Sequence, residues 1–155
     1  MKIDILSHFK NAKGLTLIEV LISTLILSSL FVGAVYVFVK CMELSEAARN
    51  TQTATLICRN RMNQIEATAY NQVYATYHQA TFTSADLSGM GVNYVDNSDP
   101  DVLKVTSVFC WRQSNGRIYG EDLNFNGQIN GAEDTNGNGE LDSPAKLVTF
   151  ISMST

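Results

Sequence analysis

The 155-residue sequence predicts an α+β fold, in which a long N-terminal α-helix packs on a small antiparallel β-sheet. Three observations support this prediction. Residues 15–39 form an apolar run whose one charged residue is Glu19, and residues 34–88 contain neither proline nor glycine. The segments 102–113 and 146–153 are rich in the β-branched and aromatic residues that are typical of strands.

The apolar run is long enough to cross a bilayer. Its 25 residues would form a helix of roughly 37 Å, against a hydrocarbon core of about 30 Å. A cleaved secretory signal has an apolar region of only about 7–15 residues before its small cleavage-site residues, whereas Ser28 and Ser29 lie inside this run. Because Lys2, Lys10 and Lys13 precede the run, the positive-inside tendency keeps the N-terminus in the cytoplasm and sends the C-terminal part across.

Glu19 is unusual in such a segment. A carboxylate in a membrane helix costs on the order of 2.5–3.5 kcal/mol on insertion scales, so it generally has a partner or a function. The alternative is that Glu19, near the start of the run, extends to the lipid headgroups.

The residues around Glu19 favour a partner. A short leader with basic residues, followed by the letters KGLTLIEVLI, resembles the start of type IV pilins and type II secretion pseudopilins. The resemblance implies that a prepilin peptidase cuts after Gly14, that the new N-terminal residue, Leu15, is N-methylated, and that Glu19 neutralises the N-terminal amine of a neighbouring subunit. An amine and a carboxylate are each costly in lipid and cost less as a pair. Leu15 departs from the phenylalanine or methionine usual in the family.

The helix is predicted to continue beyond the membrane to about residue 69. From Cys41 onward, apolar and small residues recur at three- and four-residue steps, which indicates a helix with one buried face. These residues are Leu44, Ala47, Ala48, Thr51, Ala54, Ile57, Cys58, Met62 and Ile65. The predicted parts are a leader at 1–14, a membrane and assembly half at 15–39, an amphipathic half at 40–69, and a globular β head at 70–155.

Strand signals follow in the head. Residues 102–113, the turn Ser114–Gly116 and the letters RIYG predict a β-hairpin, and residues 146–153 predict a final strand. Pro100 and its polar neighbours indicate a loop before the hairpin. Three or four strands on the helix would give the ladle-like architecture that the pilin resemblance implies.

An acidic loop, residues 121–142, separates the last two predicted strands and contains six acidic residues and no basic one. Its first half matches the calcium-loop pattern D-x-[DN]-x-[DN]-G-x5-E, with Gly127 at the sharp turn. The predicted ligands are Asp122, Asn124, Asn126, the backbone carbonyl of Gln128, and Glu133.

A second frame begins at once, with Asp134, Asn136 and Asn138, followed by Glu140 and Asp142. Its twelfth position is an alanine, so the sequence predicts one Ca²⁺ site and a second, incomplete one that Asp142 can close in a shorter form. The many Asn residues lower the ligand charge, which favours a weak affinity of about 10⁻⁴–10⁻³ M and a structural role. The alternative is a solvated polar loop, since turns also favour Asn and Gly.

The chain has three cysteines, and its head is expected in an oxidising compartment. Cys41 and Cys58 are 17 residues apart on one helix, which places them about 25 Å apart and beyond the reach of a disulfide. A disulfide within the chain would therefore include Cys110, with Cys58 as the better partner. Two reduced core cysteines are the alternative.

The sequence contains no enzyme signature, such as a nucleophile elbow or a phosphate loop, and its net charge of −4 gives no reason to expect nucleic acid binding. The resemblance implies a structural subunit, preferably a minor one, of a type IV pilus or a secretion-like pseudopilus. Its partners would be the inner membrane, a prepilin peptidase and other subunits, with the head in the periplasm or outside the cell. The alternative is a membrane-anchored, calcium-dependent adhesion module that does not polymerise, for which Glu19 would be unnecessary.

Overall fold

The computed structural model describes residues 16–153. It contains two helices and five strands, so the predicted α+β class is confirmed. These elements are α1 (Leu17–Glu66), α2 (Tyr70–Tyr77), β1 (Thr81–Phe82), β2 (Gly89–Asp96), β3 (Val102–Arg112), β4 (Ile118–Tyr119) and β5 (Ala145–Ser152). The predicted leader, with its Gly14 cleavage site, and Leu15 lie outside the described residues.

α1 contributes to two compact units, residues 1–42 and 43–155. In the first unit, every described residue from Thr16 to Met42 is exposed. By length and composition, α1 is long and apolar enough to cross a membrane. Exposed apolar side chains on a single helix are what a lipid-facing segment requires.

In the second unit, α1 buries one face from Asn50 onward, so the amphipathic prediction is confirmed from Ala54 to Ile65 but was wrong at Leu44 and Ala48, which are exposed. The buried residues are Asn50, Ala54, Ile57, Cys58, Met62 and Ile65. The helix ends at Glu66, slightly before the predicted boundary, and the tyrosine-rich segment forms the separate helix α2, which buries Val73. The predicted single helix to about residue 69 is therefore followed by a second, short helix.

The sheet is antiparallel throughout, and β3 is its central strand. β2 pairs along one side of β3, for example Val92 with Val108, and β1 pairs with β2 at that edge. On its other side, β3 pairs first with β5 and then, near its end, with β4. The predicted hairpin at Ser114–Gly116 and the predicted final strand are confirmed.

The sequence analysis predicted neither the two-residue β1 nor the longer β2. Its letters, GMGVNYVD, include two glycines and an asparagine, which are depleted in strands. The Phe82 ring lies directly over Gly91, and a Cβ atom at this position would displace the ring. Tertiary packing therefore decides the conformation of a segment with weak strand propensity.

Side chains alternate across β3, and this alternation separates two cysteines. Phe109 and Trp111 pack against the α1 face that includes Cys58, whereas Cys110 packs on the opposite side with Leu141. Both thiols are free, so the candidate Cys58–Cys110 disulfide is not formed. Burial raises the pKa of both thiols to about 11.

Candidate functional site

The candidate assembly residue, Glu19, lies in the first turn of α1, three residues after the start of the described part of the chain. Thr16 precedes α1, and its Oγ1 accepts the backbone N–H of Glu19 at 3.3 Å. The threonine thus satisfies one of the N–H groups that a helix leaves unpaired at its start. The carboxylate of Glu19 lies in the first turn of the helix, where negative charge interacts favourably with the helix dipole.

Asp122 organises the first half of the acidic loop. Its Oδ1 accepts the backbone N–H of Asn126 at 3.1 Å, and its Oδ2 accepts that of Gly127 at 2.8 Å. Gly127 has a φ of 72°, a left-handed conformation that glycine adopts without strain. The loop therefore folds around one buried carboxylate.

The other residues predicted from the first frame lie on the same turn. Oδ1 of Asn124 accepts the N–H of Asn126 at 3.1 Å, and Oδ1 of Asn126 accepts that of Gln128 at 2.8 Å. The carbonyl of Gln128 accepts the side-chain amide of Asn130 at 3.1 Å. A series of oxygen atoms thus follows the turn that Asp122 begins.

Glu133 closes this first loop across its open side. Its Oε1 accepts the N–H of Leu123 at 3.0 Å, and its Oε2 accepts that of Asn130 at 2.8 Å. Its own N–H donates to the carbonyl of Asn130 at 3.1 Å. Counted from Asp122 as position one, Glu133 at position twelve bonds positions two and nine.

The second frame repeats the hydrogen bonds of the first. Asp134 accepts the N–H groups of Asn138 and Gly139 at 3.1 and 2.9 Å. Asn136 accepts the N–H of Asn138 at 3.0 Å, and Asn138 accepts that of Glu140 at 2.7 Å. The two frames therefore have the same local geometry.

Glu121 closes the second loop, a role that the sequence analysis did not assign to it. Its Oε1 accepts the N–H of Thr135 at 3.1 Å, and its Oε2 accepts that of Asp142 at 2.8 Å. Its own N–H donates to the carbonyl of Asp142 at 2.8 Å. Counted from Asp134 as position one, these partners are again positions two and nine, so Glu121 makes the contacts that Glu133 makes in the first loop.

The sequence contains a signal for this arrangement. The frames begin one residue earlier than the calcium pattern indicates, as EDLNFNG at 121–127 and EDTNGNG at 133–139. Each glutamate precedes one loop and closes the other. The two seven-residue segments are offset by twelve residues, so aligning them places Glu121 opposite Glu133. This alignment would have indicated Glu121 as the carboxylate that closes the second loop.

Asp142, the residue predicted to close the second loop, lies beside it with a basic partner. Its Oδ1 is 2.6 Å from Nζ of Lys146, and its Oδ2 accepts the side-chain amides of Asn136 and Asn138. Burial alone raises the pKa of Asp142, but the hydrogen bonds from these three side chains outweigh burial and hold the pKa below its ordinary value. Glu140 is 3.4 Å from the same Lys146 ammonium.

The first loop contains buried negative charge without a positive partner. Asp122 is 1% exposed and Glu133 is 5% exposed. Neither takes part in an ion pair within residues 16–153. Carboxylate and amide oxygens are the ligands that calcium prefers, so the chemistry of the donor set fits this cation. No group of three or more acidic, histidine or cysteine side chains in the described residues is placed to hold a metal ion.

The loops are attached to the outer face of the sheet, opposite α1. The N–H of Leu141 donates to the hydroxyl of Tyr94 at 2.9 Å, and Leu141 is fully buried. Phe125 packs against the same cluster, and the Arg112 guanidinium lies 5.3 Å from its ring centroid. A conformational change in either loop therefore reaches strands β2 and β3 directly.

Comparison with known proteins bears on the N-terminal segment. Residues 9–35 match the family model described as the prokaryotic N-terminal methylation motif. No curated protein and no solved structure matches the chain. Together with the exposed apolar helix and Glu19 in its first turn, the match shows that this chain carries the N-terminal signature of type IV pilin and pseudopilin precursors.

Proposed function

We propose that the chain is a structural subunit of a type IV pilus or a secretion-like pseudopilus. A prepilin peptidase cleaves it after Gly14, Leu15 is methylated, and the subunit assembles through α1 with other subunits, its head in the periplasm or outside the cell. The observation that carries the proposal is the methylation motif at the start of an exposed apolar helix with Glu19 in its first turn.

The first experiment is mass analysis of the N-terminus after extraction from the native membrane. We expect a chain that begins at N-methylated Leu15. An intact Met1 terminus, in cells with an active prepilin peptidase, would contradict the processing step. This measurement does not depend on whether the subunit polymerises.

A second experiment separates a filament subunit from a simple membrane anchor. Glu19→Gln removes the charge and keeps the side-chain size, so we expect normal membrane levels but loss of the chain from sheared filaments. Thr24→Ala is a matched control, because Thr24 is exposed on the same helix and its hydroxyl donates to the carbonyl of Leu21. If Glu19→Gln assembles as well as the control does, the anchored adhesion module becomes the better interpretation.

We propose further that the acidic loop binds two Ca²⁺ ions, one in each frame. The first set of ligands is Asp122, Asn124, Asn126, the Gln128 carbonyl and Glu133. The second is Asp134, Asn136, Asn138, the Glu140 carbonyl and Glu121, with Asp142 beside it. Support comes from the repeated oxygen-rich turns and from two buried carboxylates without a basic partner. Without a cation, burying such charge is costly.

Calcium would stabilise the head by holding the loop against β2 and β3. A ligand that binds only the folded state stabilises it by about 2.7 kcal/mol at a hundred times its dissociation constant. We therefore expect the chelator EGTA to lower the melting temperature of the purified full chain and added Ca²⁺ to restore it, with two ions per chain by elemental analysis. An unchanged transition and no bound metal would rule out this role.

A further inference from the structure

Strand β5 leaves one edge of the sheet open. It pairs with β3 on one side, and within residues 16–153 no strand or loop forms backbone hydrogen bonds with its other side. The N–H of Met153 donates to the carbonyl of Asp101 at 3.1 Å, which fixes the alternation of the antiparallel ladder. Odd-numbered residues of β5 therefore bond to β3, and the N–H and C=O groups of its even-numbered residues point away from the sheet. These residues are Lys146, Val148, Phe150 and Ser152.

The opposite edge of the sheet, at β2, is closed. The N–H of Asn93 donates to the carbonyl of Ala80 at 3.1 Å. The N–H of Val95 donates to Nδ1 of His78 at 3.2 Å. In the described part of the chain nothing comparable covers β5, and residues 147–153 contain no charged residue and no proline, which commonly protect an exposed edge strand.

The side chains at the open edge are apolar and exposed. Lys146 lies opposite Val108, which packs with Leu141 on the outer face of the sheet, so the even-numbered side chains of β5 lie on that face. Val148 is 47% exposed there, and Phe150 is 68% exposed. Unpaired backbone groups beside such side chains are what an added β-strand requires, because its main chain supplies hydrogen bonds and its alternate side chains supply specificity.

The two ends of this edge differ in charge. Its first residue on the outer face, Lys146, is basic. At its other end, Asp96 and Asp99 line a pocket of about 200 Å³ beside Phe150, together with Lys104, so negative charge is in excess there. An antiparallel segment would place its N-terminal end beside these carboxylates, which favours a basic residue at that end.

A second copy of β5 is the other candidate for this edge. Pairing β5 with itself about a two-fold axis would be antiparallel. α1 runs along β5, since Cys58 contacts Ala145 and Glu66 contacts Thr149, so the two helices would run in opposite directions. Copies anchored in one membrane by their N-terminal segments run in the same direction. The two-fold pairing therefore does not fit the anchored chain.

We propose that the open edge of β5 binds an extended segment of a partner protein as an additional antiparallel strand. The segment has β-branched residues opposite Phe150 and Val148 and a basic residue opposite Ser152, near its N-terminal end. This surface belongs to the head and does not depend on cleavage or on polymerisation.

The test uses the full chain in detergent micelles with Ca²⁺ present and the peptide acetyl-KTVTVTS-amide. Its lysine is designed to lie opposite Ser152 and its valines opposite Phe150 and Val148. We expect saturable shifts of the Val148 and Phe150 backbone N–H signals in ¹⁵N-edited NMR spectra. The reversed peptide, acetyl-STVTVTK-amide, has the same composition but places its lysine beside Lys146, so we expect about fivefold weaker binding.

N-methylated peptides test the hydrogen bonds themselves. In the proposed register, the valine N–H groups point at β5 and the threonine N–H groups point away from it. N-methylation of the valine opposite Phe150 should weaken binding about tenfold, because it removes a donor to β5. N-methylation of the central threonine, opposite Thr149, is the matched control and should change the affinity less than about twofold.

Two variants of the chain test the same edge. Phe150→Lys places a charge on it and should weaken peptide binding about tenfold. Leu123→Lys is the matched control, because Leu123 is an exposed apolar residue outside the sheet. Val148→Pro removes an outward N–H without removing a bond to β3, so it should weaken binding as well. This variant keeps the test valid if Phe150→Lys perturbs the fold.

Four results would overturn the proposal. The first is no saturable shift with the forward peptide, and the second is equal binding of the forward and reversed peptides. The third is equal binding of the two N-methylated peptides. The fourth is a shift of the Val148 and Phe150 signals with protein concentration in the absence of peptide, which would mean that a second copy occupies the edge.

Discussion

The two frames of the acidic loop have the same hydrogen bonds and different surroundings. Asp122 is 1% exposed, and Phe125 packs its loop onto the sheet. Asp134, its counterpart, is partly exposed, and Gly137 occupies the position of Phe125 with no neighbour within 4 Å of a Cβ atom. The first frame is therefore anchored in the head through Asp122 and Phe125, whereas the second is anchored through Leu141, which is fully buried, and leaves its aspartate partly exposed.

The difference shows that two turns with the same hydrogen bonds can contribute different amounts to the free energy of unfolding. Both aspartates accept two backbone N–H groups, but only Asp122 does so away from water. A charged group that loses its partners costs more where water cannot replace them. If the frames bind Ca²⁺ as proposed, the first should contribute most of the stabilisation.

The largest expected effect comes from the buried aspartate. Asp122→Asn places an amide beside the N–H of Gly127 and removes one of the two buried carboxylates, and we expect a loss of about 3 kcal/mol in unfolding free energy with Ca²⁺ present. Asp134→Asn should cost less than about 1 kcal/mol, because water can reach its partners. Denaturant melts of both variants measure this, and equal losses would show that burial does not distinguish the frames.

The closing glutamates give the next test. Glu121→Gln should lower the Ca²⁺ stoichiometry of the full chain from two to one and leave most of the chelator-sensitive stabilisation. Glu133→Gln should also remove one ion, but with the greater loss of stabilisation, because Glu133 is 5% exposed whereas Glu121 is partly exposed. Titration calorimetry and melting curves check both. If Glu121→Gln leaves two ions bound, Asp142 closes the second loop, as the sequence first suggested.

A smaller effect is expected at the fourth position of each frame. Phe125 has a φ of 58°, a strained value for a residue with a side chain. Phe125→Gly relieves about 1 kcal/mol of strain but removes packing worth about 2–3 kcal/mol, so we expect a net destabilisation of about 1–2 kcal/mol. Gly137→Ala adds only strain, about 1 kcal/mol. A Phe125→Gly protein as stable as the wild type would show that the contact with the sheet is energetically neutral.

The smallest effect concerns the ammonium beside the second frame. Lys146 pairs with Asp142 and Glu140, and both of its partners are partly exposed. Lys146→Met should therefore cost only about 0.2–1 kcal/mol, and high salt should reduce the difference. Melts at low and high ionic strength with EGTA measure the pair without competition from Ca²⁺. A salt-independent loss would mean that the packing of the lysine stem contributes more than its charge.

Sequence patterns predicted the features that depend on near neighbours. The turns around Asp122 and Asp134 form through hydrogen bonds to residues four and five positions away, so the order of Asp, Asn and Gly is enough to indicate them. The apolar spacing of α1 likewise predicts its buried face, because that spacing repeats with the helical turn.

Features that depend on distant partners escaped prediction. Glu121 reaches N–H groups 14 and 21 residues away, which no short pattern includes. β2 depends on its pairing with β3 and on the Phe82 ring against Gly91, and it overrides weak strand propensity. The candidate Cys58–Cys110 disulfide is absent because Cys110 lies on the face of the sheet that points away from α1. The residue pattern of β3 did not indicate which of its alternating side chains would face the helix.

Each of the two glutamates closes the frame that it does not precede: Glu121 closes the second frame, and Glu133 closes the first. In a simple tandem array, each glutamate would close the unit before it, and the last unit would remain open. Here Glu121, at the beginning, returns to the end of the array, between Thr135 and Asp142. A third twelve-residue copy inserted between the frames would separate this first glutamate from the last unit, and deletion of one copy would leave a glutamate with nothing to close. Each frame is therefore closed only in the presence of the other, and we expect the loop to tolerate neither the gain nor the loss of a whole frame.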